Sequence, residues 1–388
     1  MLREAIAMPL ARFRPPYCFV VSDWPTVVTT IAPPAGSAVK PGDEAYQAYK
    51  FLLPAAEVIA SFWIQRRAHP VAEVIPIVDL SPLIDGRAGG LAHVAETIGR
   101  ACRTRGFFYL INHGVPQRLV AEVFAASAAF FARPVDDKET LSITNGRNNR
   151  GYVAFEGENL DPGRPGDAKE AFNIGRELAP DDPDLLAGVP FHALNQWPAT
   201  PGFRATMLDY FTAQMELCAR LHQAFATDLG LAPDYFARAI DRPLAVLRLL
   251  HYPPHPGQFD GSQYGAGPHT DYGNVTVLAQ DDAGGLEVRA RDGGWIDATP
   301  IPGAFVCNIG DCLMRWSNDT YVSTPHRVVN RSGRERFSVA FFCDPNADAR
   351  VECLSTCTGE GRPARYPPTT GAAYLKERLD ATYKYRQA

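Results

Sequence analysis

The sequence predicts an α+β protein with a mainly β core, a jelly roll flanked by helices. Three segments of helical periodicity precede residue 230, and eight short strand candidates separated by turn signals lie between residues 244 and 343. Within the strand-rich part, His269-Thr270-Asp271 is answered after a gap of 54 residues by His326, and Arg336-Phe337-Ser338 follows.

Taken in order, residues 1–73 read as a partly ordered N-terminal extension. They contain Pro15-Pro16, Pro33-Pro34 and Gly36-Ser37, and Arg3, Arg12 and Arg14 give a basic start without the uninterrupted apolar run of a secretory signal. Residues 45–63 have amphipathic helical spacing, although Pro54 breaks or kinks it and Glu57 is unsuited to a membrane span. Residues 74–200 read as an N-terminal region of helices and substrate loops. Leu91, Val94, Ala95, Ile98 and Cys102 share a helical face over 89–103, with Gly106 as a stop, and 116–133 reads as a second helix. Residues 140–200, rich in Gly, Asn, Asp and Pro, read as long loops with short strands, and loops of that length in a compact domain are usually functional.

Residues 201–242 hold a long helix over 202–229 and its connection; Met207, Tyr210, Phe211, Met215, Cys218 and Leu221 form its apolar stripe. Residues 243–346 form the jelly roll, with strands expected at 244–252, 274–280, 285–290, 295–298, 304–309, 312–316, 326–330 and 336–343. Asp281-Asp282-Ala283-Gly284-Gly285 and Asp292-Gly293-Gly294 supply turns, and residues 347–388 read as a C-terminal tail with a helix.

Side chains at i and i+2 of a strand point to the same side, so His269 and Asp271 can converge on one ion. His326 follows Pro325 and opens a β-branched run, which places a third ligand at a strand edge. Two imidazoles and one carboxylate on one face of an iron leave three positions open for chemistry. Arg336 and Ser338 repeat the i, i+2 logic, and a planar guanidinium beside a hydroxyl is a good receptor for a carboxylate. Phe342 lies on the same face and can wall the pocket.

With these residues the chain resembles the iron(II)- and 2-oxoglutarate-dependent dioxygenases of the isopenicillin N synthase type. Gly310-Asp311-Cys312-Leu313-Met314-Arg315-Trp316-Ser317-Asn318, running on to Ser323 and His326-Arg327-Val328, is similar to the segment leading into the family's distal histidine. Arg248-Leu249-Leu250-His251-Tyr252-Pro253-Pro254 is similar to the strand whose tyrosine touches the co-substrate, although relatives often carry asparagine where Leu250 stands. Ile75-Pro76-Ile77-Val78-Asp79-Leu80 and Gly106-Phe107-Phe108-Tyr109-Leu110-Ile111-Asn112-His113-Gly114-Val115 resemble the N-terminal region, so the likeness spans residues 74 to 345.

The resemblance implies a double-stranded β-helix (jelly roll) in which His269, Asp271 and His326 bind iron(II) and are the catalytic centre. It implies that Arg336, Ser338 and Tyr252 hold the distal carboxylate of 2-oxoglutarate, and that dioxygen is the oxidant. The reaction implied couples decarboxylation of 2-oxoglutarate to succinate with hydroxylation, desaturation or cyclisation of a small organic substrate. Relatives shape their pockets with the region 140–200, which makes Tyr152, Phe172 and Arg176 substrate-side candidates beside Phe342. The other readings are an oxidase that needs no 2-oxoglutarate, an ethylene- or succinate-forming enzyme, and a non-catalytic jelly-roll binding protein.

Composition sets bounds. At 388 residues with 46% hydrophobic content the chain can bury a large core. A net charge of -5 argues against a nucleic-acid partner, which calls for a basic excess, and no stretch reads as a membrane span. Eight cysteines without paired spacing read as cytoplasmic usage, with Cys307 and Cys312 in barrel packing and Cys353 and Cys357 outside any zinc pattern. His113, His251 and His255 read as structural or solvated, and the chain as a monomer or weak homo-oligomer acting on a small molecule.

Overall fold

The computed structural model describes residues 74–146, 148–254 and 261–382. The N-terminal extension with its helix candidate at 45–63, and the turn at His255, lie outside the described residues. Four strands precede the jelly roll: β1 (Ile77–Asp79), β2 (Phe107–Ile111), β3 (Gly151–Val153) and β4 (Glu170–Gly175). The jelly roll itself contains β5 (Val246–Tyr252), β6 (Ala266–His269), β7 (Val275–Gln280), β8 (Leu286–Arg289), β9 (Trp295–Asp297), β10 (Phe305–Ile309), β11 (His326–Val328) and β12 (Arg336–Cys343).

Seven of the eight expected strands are present, and the segment 312–316 is the exception. It lies in a helix, Asp311–Trp316, whose buried Cys312, Leu313 and Trp316 follow helical spacing. The expected helices appear as Gly90–Thr104, Gln117–Phe131 and Phe203–Asp228, and a C-terminal helix spans Gly371–Thr382. Gly106 closes the first of these at φ +66°, and a Cβ there would meet the Val322 carbonyl oxygen at 2.1 Å, so both conformation and space require glycine.

The large sheet runs β1-β2-β10-β7-β12-β5-β4-β3, and the small one β6-β11-β8-β9. Only β1 and β2 pair in parallel; the other described pairs are antiparallel. The strict period of two sorts the large sheet into two faces. Phe172, Ile174, Leu247, Leu249, Val277, Cys307, Val339 and Phe341 face outward into a core shared with Ile98, Phe130, Met207, Tyr210 and Leu221 of the helices. Leu250, Tyr252, Val306 and Ala340 face inward, against Ala266, Leu286, Val288 and Val328 of the small sheet. Both faces of the large sheet are covered, so its central strands are almost wholly apolar. The polar residues that interrupt their inner face therefore need another explanation.

Candidate active site

Those polar residues line one cavity of about 130 Å³ between the two sheets. His269 is the last residue of β6 and pairs in register with His326, the first of β11, which brings the two rings to a centroid separation of 4.3 Å. Asp271 lies two residues beyond the end of β6, immediately before a bend at 272–274. The expectation that one strand would present both His269 and Asp271 is thus corrected: the strand carries the histidine alone, and the aspartate is set by contacts made after the chain has turned. Thr276 Oγ1 donates to Asp271 Oδ2 (2.5 Å), and so does Asn308 Nδ2 (2.6 Å). The Asp311 backbone N–H donates to the Asp271 carbonyl (2.8 Å), which ties Asp271 to the helix that replaced the expected strand.

With Oδ2 occupied, Oδ1 faces the imidazoles. It lies 3.7 Å from His269 Nε2 and 3.6 Å from His326 Nε2, inside the span of about 4.2 Å that two ligands of one ion can have at bond lengths of about 2.1 Å. Each Nδ1 donates to a carbonyl two residues upstream, His269 to Gly267 (2.7 Å) and His326 to Thr324 (3.2 Å). A carbonyl only accepts, so the proton sits on Nδ1 and the Nε2 lone pair is free for a metal. Burial and then the neighbouring His326 push the His269 pKa down to about 3, so the ring is neutral at pH 7. Burial works to raise Asp271, but His326, His269 and the bonds from Asn308 and Thr276 outweigh it and hold the carboxyl below its usual range. This is the one group of three or more metal-ligating side chains of its kind among the described residues.

At the other end of the cavity, Arg336 pairs in register with Tyr252. It is 0% exposed, and its guanidinium lies 4.6 Å from the Tyr252 ring centroid. Nε donates to the Gly284 carbonyl (2.6 Å) and Nη1 to Ser338 Oγ (3.1 Å), while Nη2 is buried without an acceptor. No carboxylate of the described residues pairs with it. A buried guanidinium with an open N–H and an adjacent hydroxyl is half of a carboxylate site.

Phe342 lines the cavity, on the face carrying Arg336 and Ser338. The other three substrate-side candidates do not. Tyr152 and Phe172 face the helices, where Phe172 packs 4.6 Å from Phe130 and the Tyr152 hydroxyl donates to Glu170. Arg176 pairs with Asp182 and Asp184 away from the cavity. Every residue of β4 is buried, so burial gave no face to read, and it is Asn173 that points inward beside Asn149. Leu250 lines the cavity; His251 faces away, bonded to Glu170 (2.8 Å) and stacked on Phe337, and His113 stacks on Phe305.

A charged cluster closes the wall near β4. Arg248 Nη2 and Lys169 Nζ lie 2.8 and 2.9 Å from Glu158, and Lys169 lies 2.6 Å from Asp167. Burial opposes the Glu158 charge, but Arg248 and Lys169 overcome it and hold the carboxyl far below its usual range. Asp344 also lines the cavity, and burial and the Asp271 charge push its pKa up to about 7.

Residues 243–345 match the model of the 2OG-Fe(II) oxygenase superfamily, and residues 75–200 match that of the non-haem dioxygenase N-terminal region named for morphine synthesis. The 2-oxoglutarate-Fe(II) type oxidoreductase hxnY of Emericella nidulans is 36% identical over 301 residues, covering 76% of this chain and 86% of that protein. The chain belongs to the 2OG-Fe(II) oxygenase superfamily. The homoarginine-6-hydroxylase 2-ODD-C23 of Glycine max is 38% identical, over 73% of this chain and 88% of its own length. Among solved structures, a full-length Neurospora crassa protein in complex with alpha-KG and thymine superposes with a TM-score of 0.71 at 36% identity, covering 79% of this chain and 97% of that one. The oxygenase couples oxidation of a small organic substrate to decarboxylation of 2-oxoglutarate at a non-haem iron(II) centre. Its jelly roll is the expected one. No helix of the described residues is long and apolar enough to cross a membrane.

The donor set fits these groups. Two imidazoles and a carboxylate suit iron(II) with open positions, and the orphaned Arg336 Nη2 with Ser338 Oγ suits a dicarboxylate's far end.

Proposed function

We propose that His269 Nε2, Asp271 Oδ1 and His326 Nε2 hold iron(II), that Arg336, Ser338 and Tyr252 hold the distal carboxylate of 2-oxoglutarate, and that the small substrate lies beside Phe342. The observation that carries this reading is the fully buried Arg336, which has no carboxylate partner among the described residues and an open Nη2 in the same cavity as the His-Asp-His cluster. A buried cation is tolerated when an anion arrives to pair with it.

Bound iron(II) and 2-oxoglutarate supply the oxidising power, with dioxygen spent on decarboxylation to succinate and on oxidation of the substrate. The chain contributes positioning. Gly267 and Thr324 fix the tautomer and plane of the two histidines, and Thr276 and Asn308 fix which carboxylate oxygen of Asp271 faces them. Arg336 sets the depth and orientation of the co-substrate through two parallel charge-assisted bonds. Leu250, Leu278, Ala340 and Phe342 keep the space between apolar, which limits water near the reacting centre. Named relatives act on homoarginine, and one solved relative holds thymine, which supports a substrate of that size.

The test is an anaerobic titration of iron(II)-loaded protein with 2-oxoglutarate, following the visible charge-transfer band of a chelated keto acid. The band should appear in the natural protein and vanish with iron affinity in His269→Ala. Full iron binding and an unchanged band in that variant would remove the assignment.

A further inference from the structure

The wall of the cavity formed by β4 holds two amides whose hydrogen-bonding capacity is only half used. Asn173 Nδ2 donates to Asn149 Oδ1 at 2.9 Å. Asn173 is 2% exposed and its Oδ1 is buried with no partner, and Asn149 Nδ2 donates to no described residue. Both side chains line the cavity. Exchanging O and N in both amides together leaves the conclusion intact, because a head-to-tail pair of amides leaves one carbonyl oxygen and several N–H donors unspent in either orientation. A buried polar group without a partner costs about 1–3 kcal/mol, and Asn173 Oδ1 is such a group, so a ligand that donates to it is favoured over one that does not.

The sheet register places this pair. Asn173 lies opposite Arg248, and Arg248 opposite Ala340, so the amides stand one step along the strands from the row of Val246, Phe342 and Thr276. Thr276 holds Asp271, so that row is level with the metal-ligand cluster. Arg336 lies further away, on the other side. The charges nearby are already matched: Arg248 and Lys169 against Glu158 and Asp167. Leu160, Val246 and Phe342 offer flat apolar walls.

We propose that Asn149 and Asn173 are specificity-determining residues of the substrate subsite, selecting a small neutral molecule with an amide edge, an N–H beside a C=O, as in a lactam or cyclic ureide. The substrate N–H donates to the free carbonyl of the pair, and the substrate C=O accepts from the free N–H. The inference rests on the reading above that the substrate lies beside Phe342, away from Arg336.

The probes are uracil, which carries the amide edge twice, and 1,3-dimethyluracil, which keeps both carbonyls and loses both N–H groups. Calorimetry under anaerobic conditions, on protein loaded with iron(II) and 2-oxoglutarate, should give at least tenfold tighter binding of uracil. Asn173→Leu should abolish that discrimination and leave the 2-oxoglutarate band unchanged. Asn149→Gly is the second variant, since Asn149 has φ +63°, which glycine adopts without strain. Loss of the band in the natural protein would be a failure of the metal and co-substrate reading. With the band present, equal binding of the two probes, binding of neither, or discrimination that survives both substitutions would overturn the amide-edge proposal alone.

Discussion

Replacing Arg336 with methionine should move two measurements in opposite directions. In the ligand-free protein this guanidinium is 0% exposed and has no carboxylate partner among the described residues. Exchange of a buried charge for an apolar chain of similar length relieves a desolvation cost of several kcal/mol. Against this stand the lost bonds to the Gly284 carbonyl and Ser338 Oγ, about 1–3 kcal/mol for the groups left behind. The net expectation is a ligand-free variant more stable by about 1–3 kcal/mol, read from urea unfolding. The same change removes two charge-assisted bonds to 2-oxoglutarate, each worth about 1.5–3 kcal/mol. At about 1.4 kcal/mol per factor of ten, the co-substrate Kd should rise by at least about a hundredfold in the anaerobic titration. Saturating 2-oxoglutarate stabilises the natural protein by about 2.7 kcal/mol at about a hundred times Kd, so the stability order should narrow or reverse when ligand is added. An unchanged Kd would refute the argument, and so would a variant less stable than the natural protein without ligand.

Two further outcomes follow from the site's surroundings. Asn308→Ala should lower iron(II) affinity by about 10–100-fold without unfolding the protein, because it frees Asp271 Oδ2 to rotate; competition with a chromophoric chelator measures this. Glu158→Gln should destabilise the protein by about 3 kcal/mol near pH 7, since it leaves Lys169 and Arg248 short of a buried counter-charge. Arg248 and Lys169 hold the Glu158 carboxyl far below its ordinary value in the folded state, so its contribution is present above the unfolded pKa and is lost as pH falls through the lower folded pKa. The gap between variant and natural protein in thermal melts should therefore be full at neutral pH and shrink in acid below about pH 4.

The strand β12 was legible to the residue, because Arg336 to Cys343 alternates cleanly and both faces matter. The long helix was legible for the same reason in the other period, as the buried Met207, Tyr210, Cys218 and Leu221 show. The helix Asp311–Trp316 reads as a strand because six residues are too few for periodicity to separate the two templates. His269 and Asp271 do meet in one cluster with His326, but shared strand geometry is not the cause. What aims Asp271 is Asn308 and Thr276, adjacent only because β10 pairs with β7 in the register Asn308↔Thr276. No local pattern encodes that pairing. Phe172 faces the helices and Asn173 the cavity, which the sequence does not show because a strand buried on both sides has no exposed face to read.

The register also explains how one cavity can keep a fixed chemistry and a variable substrate. Successive inward rows of the large sheet carry different tasks: Arg336 with Tyr252, then Ser338 with Leu250, then Ala340 with Arg248 and Asn173, then Phe342 with Thr276. A slip of one residue in β12 would turn the whole set outward into the helical core, so the Arg336 end and the Thr276 end of the cavity are locked together by the same strand. Asn149 and Asn173 hang on β4 and the loop before β3, at the margin of the sheet. Changing them alters side chains on β4 and on the loop before β3 and leaves the residues of β12, β7 and β10 as they are. Selectivity can therefore drift at this edge while the positions of Arg336 and Asp271 stay fixed.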